Sequence, residues 1–212
     1  MNIDKIIMEK AMLNHPFYQA WSEGKLNIEI LKKYAMQYFK LEAAFPTFLS
    51  AIHSNCNDRS VRQMILQNMV DEEAGSENHA ELWLRFCEGL GLTRQEVLDA
   101  QPTADTQKTI ESLKKICSDP NFVNGVAAMY AYESQLPAVS TTKIEGLKKF
   151  YGVTDERSLS FFTTHEKADV WHSQVEKNII EKHGESKEIE QAVQASRDAL
   201  WGFLGGALKF CG

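Results

Sequence analysis

One property limits the folds open to this chain more than any other. Apolar residues recur at helical spacing in segment after segment, and no run alternates apolar and polar with the period of two that a strand needs. Stop and start signals divide the segments. A first helix is predicted over 3–13, and His15-Pro16 breaks it before a short helical turn ending near Gly24. Asn27 caps a helix that runs to about 54, in which FKLEAAFPTFL carries aromatic residues on one side and Pro46 marks a kink. Asp58 caps a helix continuing to Gly89, and Thr93 with Glu96 has capping-box spacing before Pro102. Residues 106–117 make another helix, and Asp119-Pro120 starts a long one reaching Tyr151-Gly152 with a kink at Pro137. Asp155 opens the next, Gly184 ends it, and Ser186 caps a last helix that reaches the C-terminus. The expectation is an all-α bundle of about seven or eight helices, in a single domain over 1–212.

Composition narrows what such a bundle can serve. A net charge of −6 disfavours binding to a phosphate backbone, so no nucleic acid is expected as partner. The longest apolar stretches, such as VAAMY, fall far short of the roughly 20 residues that span a bilayer, and MNIDKIIMEK has no signal-peptide pattern. The expected place is the cytoplasm, away from membranes. Cys56, Cys87, Cys117 and Cys211 form no CxxC and no disulfide-like framework, which fits reduced thiols.

Within the helices, HEKADVWH (165–172) sets His165, Asp169 and His172 four and then three residues apart. Steps of about 400° and 300° put all three on one helical face. That face is a poor apolar stripe, and it reads as a solvated face, a polar network beside Trp171, or half of a metal site. Two other segments offer matching groups. In VDEEAGSENHAEL, Glu72 and His79 lie seven apart, two turns along one face, although Asp71 and Glu73 beside Glu72 also suit a solvated surface. Glu133 sits among Met129, Tyr130, Tyr132 and Leu136, where a lone charge is expensive to bury. Three imidazoles and three carboxylates suit iron or manganese better than thiolate-rich structural zinc, and the carboxylates offset much of the charge of two divalent ions. Helical bundles build carboxylate-bridged dimetal sites from such inward-facing side chains.

The order Glu-x6-His, Glu, His-x3-Asp-x2-His resembles the pattern of the haem-oxygenase-like dimetal oxidases, and Glu72, His79, Glu133, His165, Asp169 and His172 meet it without a gap. The stretch HPFYQAWSEGKLNIEILKKYAMQYFKLEAAFP also resembles the opening of the TenA and PqqC families. The resemblance implies an all-helical, haem-oxygenase-like bundle, often a homodimer. A narrower resemblance is to the proteins related to the chlamydial protein associating with death domains, carried by Tyr18 in HPFYQAW, Tyr132 before Glu133, and Lys143 in STTKIEG. It implies a self-sacrificing synthesis of para-aminobenzoate for folate: Tyr18 gives the ring, Lys143 the amino group, and Tyr132 relays an electron or radical. It further implies a dinuclear centre, Fe/Fe or Mn/Fe, with dioxygen and an external reductant as co-substrates and about one turnover per chain.

By residue type alone Tyr18 and Tyr132 read as core aromatics, with Tyr34 and Tyr38 as competitors, and Lys143 as a solvated lysine. Other readings start from the same residues. A dimetal oxidase could act on a diffusible amine, amino acid or fatty acid. A TenA-type hydrolase needs a catalytic cysteine in a motif that none of the four cysteines matches, and PqqC-like oxidation works without metals. Death-domain protein binding rests on the relative's name and on an acidic helix face such as EGLGLTRQEVLDA.

Overall fold

The computed structural model describes residues 3–184 and 186–211, apart from the side chain of Lys167. Among them are eleven α-helices and no strand: α1 (Ile3–Met8), α2 (Pro16–Ser22), α3 (Ile28–Asn55), α4 (Arg59–Glu73), α5 (His79–Gly89), α6 (Arg94–Asp99), α7 (Ala104–Cys117), α8 (Phe122–Glu133), α9 (Leu136–Phe150), α10 (Glu156–His183) and α11 (Lys187–Leu208). The all-α expectation holds, with more and shorter helices than foreseen.

The expected caps mostly act as the chemistry requires. Side-chain oxygens of Asn27, Asp58, Asp155 and Ser186 accept the N–H groups of Ile30, of Ser60 and Val61, of Ser158 and of Ile189. Thr93 and Glu96 close their capping box. Asn121, not Asp119, caps α8, because the Asp119 carboxylate accepts the N–H of Asn121 instead. Thr103 caps α7, which therefore starts at Ala104. The first predicted helix stops at Met8, and residues 12–14 form a separate 3-10 turn. At the other end a 3-10 turn over Lys209–Cys211 follows α11, and Gly212 lies outside the described residues.

Two expected long helices are divided. The one from Asp58 ends at Glu73, and the chain turns at Gly75, whose φ of +79° suits glycine. Asn78 then donates to the Gly75 carbonyl and caps α5 by accepting from Glu81. The one expected to kink at Pro137 breaks after Glu133, and Pro137 lies in the first turn of α9. Proline has no N–H to give the carbonyl four residues before it, here that of Glu133. Pro46 stands in the same relation to Glu42, yet α3 continues through it.

The core is one continuous apolar cluster contributed by nearly every helix. At its centre runs α8, buried at every position from Val123 to Glu133. α11 packs on α7 and α8, α10 on α5, α8 and α9, and α3 on α4, α5, α7 and α8. Five of these elements, α3, α4, α5, α8 and α10, bring the polar groups together.

Candidate metal centre

The face predicted from HEKADVWH turns inward: His165, Asp169 and His172 are all buried on α10. They do not all join one group. Asp169 and His172 converge with Glu133 from the end of α8, whereas His165 converges with His79 and with Glu42 of α3. In each triplet one potential donor atom per residue lies within 4.8 Å of the others.

Glu72 stands beside the triplet of Glu42, His79 and His165. Its Oε2 is 2.9 Å from His79 Nδ1, without hydrogen-bond geometry at that nitrogen, and its carboxyl approaches Glu42 closely enough to share a proton. Glu72 and His79 do come together, but not for the reason their spacing suggested. They do not lie two turns apart on one helix; the break at 74–78 puts Glu72 near the end of α4 and His79 at the start of α5. All six sequence-predicted donors are thus gathered, and Glu42 is an addition.

Burial dominates the electrostatics. It pushes the carboxyl groups of Glu42, Glu72 and Glu133 well above the usual range, and neighbouring carboxylates push further. Asp169 is also raised by burial, against the opposing pull of His172. Burial lowers His79, and it lowers His165 strongly with help from the charge of His79. Burial pulls His172 down as well, but its contacts with Asp169 and Glu133 outweigh that and hold it up at about 9. Without cations, this interior is tolerable only if its carboxyl groups hold protons.

Several observations fit the cluster to metal. Glu42 Oε1, His79 Nδ1, Asp169 Oδ2 and His172 Nδ1 are buried with no hydrogen-bond partner. Three histidines with four glutamate or aspartate groups make a nitrogen and oxygen donor set suited to iron or manganese, and neither triplet contains a cysteine. Outer partners orient the rings as metal ligands require. His165 Nδ1 lies 2.7 Å from the Phe161 carbonyl, which fixes the proton there and leaves Nε2 its lone pair. His172 Nε2 lies 3.3 Å from Asp71 Oδ2, while Nδ1 is 3.5 Å from Asp169 Oδ1 and 3.6 Å from Glu133 Oε2. Asn68 donates to both oxygens of Glu133 at 3.1 and 3.3 Å. Sequence reasoning passed over Asn68, Asp71 as a partner, and Glu176, a buried carboxyl raised by burial with Oε2 unpartnered.

Next to the centre lies an aromatic cage. Lys143, 2% exposed on α9, has its Nζ 4.7 Å from the ring centre of Tyr38, 5.3 Å from Tyr34 and Trp83, 5.4 Å from Phe162 and 5.7 Å from Tyr18. Gly146, one turn further on, lets α9 close on Trp21, since a Cβ there would meet the indole Nε1 at 2.5 Å. Burial pulls the Lys143 amine down to about 7, and the Glu42 carboxyl opposes that shift. The Tyr132 hydroxyl donates to that of Tyr38 at 2.8 Å, and Tyr38 stacks on Trp83 with ring centres 4.2 Å apart. Tyr18, Tyr34, Tyr38 and Tyr132 line a cavity of only about 10 Å³.

The chain is thus an all-helical bundle with two buried donor triplets that could each hold a metal ion. A domain from Shewanella denitrificans described as having that fold superposes with a TM-score of 0.82 at 19% identity, over 100% of this chain and 94% of the other. A TenA homologue from Pseudomonas syringae superposes with a TM-score of 0.81 at 17% identity, over 97% and 92%. The chain belongs to the TENA/THI-4/PQQC family, whose profile matches residues 2–208. Among its relatives, a protein of Nitrosomonas europaea named 4-aminobenzoate synthase is 42% identical over 96% of this chain and 88% of the relative. One of Chlamydia trachomatis with the same name is 39% identical over 97% and 90%. A pyrroloquinoline-quinone synthase of Ectopseudomonas mendocina is more distant, 24% identical over 91% and 79%.

Proposed function

We propose that this chain is an oxygen-dependent 4-aminobenzoate synthase serving folate synthesis, which consumes its own Tyr18 as ring source and its own Lys143 as amino donor. The similar relatives bearing that name support the product. The observation that carries the internal source is the narrowness of the ring pocket. Its free space of about 10 Å³ is about that of a single water, and ligand pockets run to several hundred Å³. The phenol already inside is Tyr18, 2% exposed, and the amine near it is Lys143.

The ions would be held by Glu72, His79, Glu133, His165, Asp169 and His172. Bound iron or manganese would supply reduction of dioxygen, at the expense of an external reductant, and with it the oxidising power that attack on a phenol needs. The chain's residues supply position and proton control. Tyr132 adjoins Glu133 in sequence and donates to Tyr38, a route for an electron and a proton between the centre and the ring pocket. The rings around Lys143 exclude water and leave much of its amine neutral near pH 7, the form that can give nitrogen to carbon.

Peptide-resolved mass spectrometry of metal-loaded protein, before and after reductant and air, tests the reading with 4-aminobenzoate assayed in the same tube. Loss at Tyr18 and change at Lys143 in step with product are expected. Product formed with both residues intact would overturn self-sacrifice and point to a diffusible substrate.

A further inference from the structure

Glu42 meets the carboxyl of Glu72, itself buried, and that contact alone does not explain why both acids lie inside. Glu42 lies on α3 one turn after Tyr38 and is 5% exposed, with Oε1 unpartnered. No lysine or arginine among the described residues makes an ion pair with it, and an unpaired carboxylate in such a place is costly. Its carboxyl instead converges with a nitrogen of His79 and one of His165.

We propose that Glu42 is a seventh donor of the centre, and that Glu42, His79 and His165 hold one divalent cation separately from the cation at Glu133, Asp169 and His172. The inference rests on the dinuclear reading above and adds a ligand to it. Charge gives an independent argument. Among the donors alone, three carboxylates and two divalent ions leave one positive charge, and the fourth carboxylate brings that sum to zero, with Glu176 outside both triplets and able to keep its proton. Geometry gives another. Glu42 is the carboxyl that groups with nitrogens of both His79 and His165 within 4.8 Å, whereas Glu72 belongs to neither triplet although its Oε2 lies 2.9 Å from His79 Nδ1.

Glu42 is also the donor on the side of the rings. It lies one turn after Tyr38 on α3, and its neighbour His165 stacks on Phe161, whose ring centre is 6.1 Å from that of Tyr38. The cation Glu42 binds therefore occupies the position nearer the ring pocket, and the second cation sits toward Asn68 and Asp71.

The test measures metal, not turnover. Wild type, Glu42→Gln, Glu42→Leu and Glu133→Gln are loaded with manganese(II) without air, freed of loose metal, and analysed for manganese per chain and by electron paramagnetic resonance. Wild type is expected to hold two ions with a spin-coupled signal. Glu42→Gln and Glu42→Leu should fall to about one ion per chain with the signal of an isolated ion. Glu133→Gln should lose the other ion, leaving a nitrogen-richer environment. Circular dichroism guards against misfolding, because Glu42→Leu removes a buried charge and should melt no lower than metal-free wild type. Two ions with a coupled signal in Glu42→Gln would overturn the inference. Loss of one ion in both Glu42 variants, with no 4-aminobenzoate from wild type in the reductant-and-air assay above, would overturn the proposed synthase and leave Glu42 a ligand. Wild type that takes up no manganese or iron would overturn both.

Discussion

The two donor triplets differ in how the chain makes them. Glu133, Asp169 and His172 come from two helices, and Asn68 and Asp71 of α4 stand behind them as hydrogen-bond partners. Glu42, His79 and His165 come from three helices and border an aromatic cage in place of amides and carboxylates. Spacing along α10 sets much of the first group, whereas tertiary packing sets the second. On the proposed reading, one position would mainly hold a cation, and the other would hold one beside the ring pocket.

The most severe way to break this comparison is Glu133→Ala, which should leave a folded chain with reduced metal content and no 4-aminobenzoate. Metal analysis with the product assay checks it, and normal activity would remove Glu133 from the centre. Lys143→Met should separate the two sides more sharply: product falls to background while both cations remain. Its stability carries a pH signature. The folded chain releases the Lys143 proton at about pH 7, and an exposed lysine does so near 10.4. Between those values the unfolded chain binds more protons, so wild-type stability rises with pH, and the cost of the buried amine is complete below about pH 7. Lys143→Met should thus raise stability by about 1–4 kcal/mol at and below neutrality. Melting curves across pH should show that gain shrinking toward pH 10, and a constant gain would contradict it. The mildest change is Asn68→Ala, which removes two hydrogen bonds to Glu133. It should weaken one of the two cation sites by roughly 10-fold, as loss of an outer partner does, and leave the other unchanged in a metal titration.

How much was legible follows the same division. Caps and glycines announced most helices because those signals are local, as Thr93 with Glu96 and Asp155 with Ser158 illustrate. The division of the long helices was not apparent, because proline and glycine mark a disturbance without saying whether the helix bends or ends. Pro46 lies within α3 and Pro137 begins a new helix, and the packing around them decides. Glu72 and His79 were paired from a periodicity that the turn at Gly75 interrupts. Glu42 escaped notice although its signal resembled that of Glu133, a lone acid among aromatics in YAMQYFKLEAAF. Its partners His79 and His165 lie 37 and 123 residues away in the chain, and no local spacing links them.

The narrowness of the ring pocket has a consequence for departure more than for entry. On the proposed reading, a compound that resembles the product would find little room in a space of about 10 Å³, and added 4-aminobenzoate should not compete there. A finished product, in contrast, would be born in confinement, and it could leave only when the helices around Tyr18 and Leu204 part. Release would then keep time with the breathing of the bundle, and the hydrogen-exchange rate of α2 and α11 would be the clock to compare with it.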